Sequence, residues 1–453
     1  MSIPRRYDRG RGRSGHLPST LPRYRRLVTS APLARRLGLV DAVTLGLGSM
    51  LGAGVFAALA PAAGLAGGWL LVALGLAALV ATANALSTAQ LAARHPVAGG
   101  AYAYGRARLG PWWGFLAGWG FVVGKTASCA AMALTLGAYA WPGHERAVAL
   151  GAVVALVAID LAGVTRTARA TRVLLVVTLL ALGALVVAVA VAAASGSLAA
   201  GGGALPPTTT DDVSVAGVLG AAGLLFFALA GYARVATLGE EVRNPERTLP
   251  RAVMLALVGA VTVVAAVAAA ALVALGPAAL AASGAPLVDT AQAVDAGWLV
   301  PVVGVAAVTA SGGALLALLA GVGRTTLAMA REGDLPRVLA HVDARRSTPT
   351  TATLLVGTIV AVLVCTTDLR GMLGASSAGV LIYYGVANAA AWTQPRDERL
   401  VPRWVPAAGL LGCATLVAAL PRDALAVAAL VLAVGVTGRV YVTRSRLAAR
   451  RDS

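Results

Sequence analysis

The chain has 453 residues, of which 58% are hydrophobic and only 12% charged; this excludes an ordinary soluble composition and points to a protein embedded in a membrane. Its 37 basic residues outnumber 19 acidic ones, for a formal charge of +18. A nucleic-acid partner would need that charge gathered on one face, and its distribution, given below, argues against one.

Residues 1–37 are rich in Arg, Ser and Pro and lack an apolar core, which predicts a disordered cytoplasmic tail and not a cleaved leader. Apolar stretches long enough to span a bilayer follow at 39–64, 67–90, 112–140, 147–163 and 171–194. Residues 195–212, with Gly201-Gly202-Gly203 and Pro206-Pro207, read as an external linker. Seven more stretches lie at 213–238, 251–276, 297–323, 350–366, 371–393, 404–420 and 423–443, and 444–453 form a second cytoplasmic tail. The expectation is an all-α polytopic membrane protein of twelve spans.

The basic residues set the orientation. Thirty-two of them fall in the tails, in the connections on the amino-terminal side or at the adjoining span ends (Arg172, Arg251 and Arg439), against Arg146, Arg370 and Arg422 on the other. Lys and Arg resist translocation, so both termini are expected in the cytoplasm of a multi-pass plasma (inner) membrane protein. The excess charge then faces anionic lipid head groups, with no nucleic acid involved. Only Lys125 and Arg234 remain, both inside predicted spans, where an ionisable group is costly and marks a functional candidate.

Cys129, Cys365 and Cys413 lie in apolar runs, and His16, His95, His144 and His341 in polar stretches, with no CxxC or HExxH spacing. No disulfide framework, metal or other cofactor is expected. Gly124-Lys125-Thr126 imitates the end of a phosphate-binding loop, but Trp119 stands where its first glycine belongs. No Ser/His/acid set shares a depth, so an enzyme is not expected.

The first span reads Gly46-Leu47-Gly48-Ser49-Met50-Leu51-Gly52-Ala53-Gly54-Val55-Phe56. Four glycines in nine residues weaken the helix at mid-membrane, where unwound backbone is tolerated only against protein or a watery cavity; the alternative is close helix packing through small residues. The sixth span carries a second interruption, Phe226-Phe227-Ala228-Leu229-Ala230-Gly231-Tyr232-Ala233-Arg234. An offset of five spans gives the two interrupted helices opposite polarity, the signature of an inverted repeat with a binding site between its halves. The repeats would be 38–194 and 213–393, with 394–443 as an appendage of two helices. Half-helix starts offer N–H groups to a carboxylate, and unwound carbonyls accept from an ammonium, so an amino acid fits both.

These segments resemble the amino acid/polyamine/organocation (APC) permease superfamily. The Gly46–Phe56 run is similar to its first-helix motif, and Arg94-His95-Pro96-Val97-Ala98-Gly99-Gly100-Ala101-Tyr102 to its loop after the second helix. Phe226–Gly231 with Glu240 to Arg251 resembles its sixth helix and following loop, and Ala328 to Pro336 its eighth-to-ninth loop. The resemblance implies a leucine-transporter-like five-plus-five fold. It also implies a carboxylate site on the backbone of Ser49, Met50, Gly52, Ala53 and Gly54, and an amine and gate region at Phe227, Ala230 and Gly231. Where many proton-coupled members carry a span-five lysine, this chain has Thr178.

The implied activity is secondary active amino acid transport, by symport with protons or by exchange. A transport-incompetent sensor or partner subunit and a passive uniporter are the alternatives. Lys125, the one lysine in the chain, is either a protonation switch replacing the missing one or a structural lysine bonded to unwound carbonyls. Arg234 suits a gate, closed through Glu240 or Glu241. The two cations disfavour a cationic substrate.

Overall fold

The computed structural model describes residues 37–52, 54–94, 99–163, 168–197, 213–236, 242–343 and 348–449. Ala53, Glu240, Glu241, most of the amino-terminal tail and nearly all of the linker fall outside them, so the expectations placed there are not addressed. Within the described residues the chain is helical, with no strand beyond an isolated parallel bridge between Leu37 and Val242.

The first stretch is divided into α1 (Leu39–Met50), α2 (Gly54–Ala57) and α3 (Leu59–Ala66). Then come α4 (Leu70–Arg94), α5 (Gly100–Arg108), α6 (Pro111–Ala140), α7 (Glu145–Leu161) and α8 (Ala168–Ala194). The sixth stretch gives α9 (Val215–Leu229), a 3-10 turn (Ala230–Tyr232) and α10 (Ala233–Ala236). After it lie α11 (Pro245–Ala282), α12 (Pro286–Ala293), α13 (Leu299–Arg331), α14 (Thr350–Thr366), α15 (Leu369–Trp392), α16 (Trp404–Ala418) and α17 (Arg422–Ala449).

Every apolar stretch read from the sequence is thus helical. Eight helical segments are long and apolar enough to cross a membrane, while α14 and α16 are apolar but shorter. Local chemistry sets many ends. Pro111, Pro245 and Pro286 open α6, α11 and α12, where the missing N–H costs nothing. Ser214 and Asp368 accept from the amides of Gly217 and Gly371 at the starts of α9 and α15. Gly276, at φ 72° before Pro277, interrupts α11 where the seventh stretch was expected to end.

Two results differ from the sequence reading. The connection after the second stretch, likened above to a loop, is a helix, α5, with Tyr102 and Tyr104 buried. The carboxyl-terminal helix runs on to Ala449, into the expected tail. Outward faces carry Val173, Val176, Leu180, Val187 and Val191 on α8 and Leu430 and Val434 on α17, as expected of helices facing hydrocarbon.

The core is organised about α6, which packs on both α13 and α15. Its contact with α15 is made through small residues. A Cβ at Gly124 would lie 2.9 Å from the Ser376 carbonyl, and the Ser128 and Ser376 hydroxyls meet at 2.6 Å. Against α13 it runs antiparallel: Gly118 lies against Met329, and Leu136 against Gly312. Ahead of α1, the Arg243 amide donates to the Leu37 carbonyl at 2.9 Å, tying the entry of α1 to the entry of α11.

Candidate functional site

The two interruptions meet. A Cβ at Gly231 would stand 2.7 Å from the Met50 amide nitrogen and from the Ser49 carbonyl carbon, and one at Gly54 would stand 2.7 Å from the Ala228 Cβ. Only glycine allows backbone to approach backbone this closely, so each break supplies the notch into which the other fits. Met50, Gly52, Gly54, Phe227 and Ala230 are all buried here.

Each break has freed backbone groups, and side chains from other helices satisfy some of them. Past the end of α1, the Gly52 carbonyl accepts from the Ser311 hydroxyl of α13 at 3.4 Å. In the 3-10 turn the Ala230 carbonyl accepts from the Tyr384 hydroxyl of α15 at 3.0 Å. Tyr384 is oriented by stacking on Tyr232, with centroids 4.8 Å apart, and by edge contact with Phe226 at 5.8 Å. Ser49 turns back on its own helix, donating to the Leu45 carbonyl at 2.7 Å, so its backbone and not its hydroxyl faces the second break. Phe227 packs in a cluster with Ala57, Leu224 and Ala314.

Thr178 lies beside the first break. With Gly48, Leu51, Gly52, Thr171, Leu174, Leu175 and Ala310 it lines a cavity with room for about one water molecule, and its hydroxyl donates to the Leu174 carbonyl at 2.8 Å. Lys125 is not in that lining. It is buried and makes no hydrogen bond among the described residues, so no carbonyl anchors it as the structural alternative required. Seven residues beyond Gly118, which lies against Met329, it falls on the same face of α6. Arg234 approaches α13: its Nη1 would be 3.9 Å from a Cβ at Gly321.

Beyond the breaks, each end of the bundle is closed by contacts that sequence reasoning missed. On one side Phe56 and Tyr139 pack edge to face with centroids 5.6 Å apart, and the Tyr139 hydroxyl accepts from the Leu287 amide of α12 at 3.2 Å. On the other, Asp334 is buried between two arginines. Arg106 reaches it at 2.8 Å and Arg439 at 3.1 Å, and the Tyr102 hydroxyl donates to it at 2.9 Å. Burial first, then the Asp334 charge, holds the Tyr102 phenol well above its ordinary value, so it remains a donor. Arg439 also donates to the Pro111 carbonyl and lies over Trp112 and Phe115, 4.6 Å from each centroid. The available signal for Asp334 was an acid in an Arg-rich connection; for Tyr384 it was a scatter of polar residues, Ser376, Ser377, Tyr383 and Asn388, within an apolar helix.

Residues 37–441 match the sequence model of a family described as amino acid permease. An uncharacterized transporter of Mycobacterium tuberculosis (strain ATCC 25618 / H37Rv) is 54% identical over 418 residues, 91% of this chain and 93% of its own length. A branched-chain amino acid permease of Bacillus subtilis (strain 168) is 26% identical over 73% of this chain and 74% of its own. A vacuolar cationic amino acid transporter of Arabidopsis thaliana is 29% identical over 83% of this chain and 60% of its own.

Proposed function

The chain belongs to the amino acid permease family, a family of membrane transporters and not of enzymes, and from this we propose that it is a secondary active amino acid transporter of the plasma membrane. In this reading twelve spans, both termini cytoplasmic, form two inverted five-span repeats, 38–194 and 213–393, with 394–443 appended. Alternating access proceeds about the interruptions in the first and sixth spans.

The observation that carries the reading is the mutual contact of those interruptions, Gly231 on the Ser49–Met50 backbone and Gly54 on Ala228. The backbone of Ser49, Met50, Gly52, Ala53 and Gly54 would take the substrate carboxylate through free N–H groups. The carbonyls near Ala230 and Gly231 would take the ammonium, Tyr384 already occupying one acceptor position on Ala230. Phe227 would face the side chain. The contact is too close for a substrate to lie between the breaks in this conformation, so binding requires α1–α2 and α9–α10 to separate.

Lys125 and Arg234 favour substrates with neutral or anionic side chains. Both fall within membrane-spanning stretches, and a substrate cation moving between the breaks would meet like charge at low dielectric. On charge alone we read its selectivity as like that named for the branched-chain permease and unlike that of the cationic transporters, to which the sequence is as similar. Lys125 is our candidate for proton coupling, because a buried lysine can cycle between charge states and arginine cannot; Thr178 marks the position where a span-five lysine would act.

Uptake into proteoliposomes under an imposed proton gradient tests the proposal, with labelled leucine, glutamate and arginine as substrates. Accumulation of leucine or glutamate, with arginine the weakest competitor, supports it. Binding without uptake would make the chain a sensor, uptake indifferent to the gradient a uniporter, and dominant competition by arginine would reverse the selectivity.

A further inference from the structure

The connection between α15 and α16, residues 393–403, is short and carries Arg396, Arg399 and Arg403 against Asp397, whose side chain is exposed, and Glu398. Gln90 of α4 holds it: its side-chain oxygen accepts from the amides of Leu400 and Val401 at 2.7 and 2.9 Å, and its side-chain nitrogen donates to Gln394 at 2.7 Å. Arg94 donates to the carbonyls of Asp397 and Glu398. The Glu398 carboxylate is already taken, by Arg108 at 2.9 Å.

Three arginines in this loop have no such acid. Arg396 and Arg403 are exposed and form no ion pair among the described residues, and the one side-chain hydrogen bond of Arg399 goes to the backbone carbonyl of Gln394 at 2.7 Å. They also feel one another. The Arg399 guanidinium is held below its ordinary value by loss of hydration and then by the charges of Arg403 and Arg396. A loop that spends buried hydrogen bonds on holding like charges close together is preorganised for an anion.

Apolar neighbours say which anion. Trp392 at the end of α15, Leu400 in the loop and Trp404 at the start of α16 are 44, 50 and 69% exposed. Each arginine therefore lies within four residues of a large exposed apolar side chain. Tryptophan at helix ends belongs at the boundary between hydrocarbon and water, and a soluble anion offers it nothing. A phospholipid phosphate with its acyl chains offers a partner to both halves of the patch.

We propose that residues 392–404 form a binding site for an anionic phospholipid, with Arg396, Arg399 and Arg403 on the head-group phosphate and Trp392, Leu400 and Trp404 against the upper acyl chains. The site rests on the membrane-spanning reading of the chain and is independent of what the chain transports.

The test uses the full chain in nanodiscs of phosphatidylcholine with and without phosphatidylglycerol, reading lipid retained by native mass spectrometry and the thermal midpoint. Wild type is expected to retain phosphatidylglycerol preferentially and to unfold at a higher temperature when it is present. Arg396→Gln/Arg399→Gln/Arg403→Gln should lose that preference, by about fivefold per arginine removed, while Arg337→Gln, an exposed arginine elsewhere, should keep it. If the triple variant does not fold, Arg403→Gln alone should show a smaller loss in the same direction. Retention unchanged in the folded variant overturns the proposal, as does an equal stabilisation by inorganic phosphate in phosphatidylcholine. Neither readout involves transport, so failed amino acid uptake and a failed lipid site are distinguishable.

Discussion

Tyr384 donates its hydroxyl hydrogen to the carbonyl oxygen of Ala230, 3.0 Å away. The donor comes from α15 and the acceptor from the 3-10 turn that interrupts the sixth stretch, 154 residues earlier in the chain. Removing the hydroxyl leaves a buried carbonyl with less than its full complement, at a cost of about 1–3 kcal/mol. Tyr384→Phe is expected to raise KM for the transported amino acid by roughly tenfold, with less effect on expression than on uptake. Concentration-dependent uptake by the variant, set beside its thermal midpoint, checks this; an unchanged KM would reduce Tyr384 to a packing residue.

Gly54 and Gly231 are the two points at which a side chain would separate the breaks. At Gly231 a methyl group would have to share space with the Met50 amide, and overpacking of this kind costs about 1–3 kcal/mol. Gly231→Ala is expected to reduce uptake by roughly tenfold or more. Gly385→Ala, whose nearest neighbour is the flexible end of Leu410 at 3.8 Å, serves as the tolerated control within a span. Equal activity of the two variants would show that close approach of the breaks is not needed for transport.

Lys125 sets stability against function. An ammonium buried without a hydrogen bond is expensive, so Lys125→Met should stabilise the protein by about 1 kcal/mol or more, raising the thermal midpoint by a few degrees. The same variant should lose accumulation driven by a pH gradient while retaining exchange of substrate across the membrane. A stabilised protein that still accumulates substrate against the gradient would remove Lys125 from the coupling mechanism.

Asp334 balances Arg106 and Arg439, and all three are at most 19% exposed. Neutralising the acid removes the carboxylate that Arg106 and Arg439 share, leaving Arg106 its pair with Glu332 at 3.3 Å, whereas removing Arg439 leaves both of those Arg106 pairs in place. Asp334→Asn is therefore expected to cost about 3 kcal/mol and Arg439→Gln distinctly less. Thermal midpoints of the two variants in one detergent give the order directly, and the reverse order would contradict the cluster's charge balance.

Much of this was legible in the sequence because the informative signals are local. Apolar length located the long helices, though not α5 or α12 in the connections, and four glycines from Gly46 to Gly54 located the first break to within a few residues. The weight placed on Gly231 also suited a residue that proved to touch Met50. What the sequence did not reveal lies in pairings with no fixed spacing. Nothing in Tyr384 announces Ala230, and Asp334 meets Arg106 across 228 positions only because α5 and the end of α13 are neighbours in space. For Lys125 the burial followed from its span, while its absence from the lining of the Thr178 cavity depended on which face of α6 it occupies.

The backbone link from Arg243 to Leu37 has a mechanical consequence. In the proposed cycle a tilting α1 would not leave its root behind, because that root is stapled to the foot of α11; either the staple tears or α11 is hauled along. If it holds, the first helix and the seventh stretch would travel as one lever, and a stroke begun at the Gly52 break would reach α11.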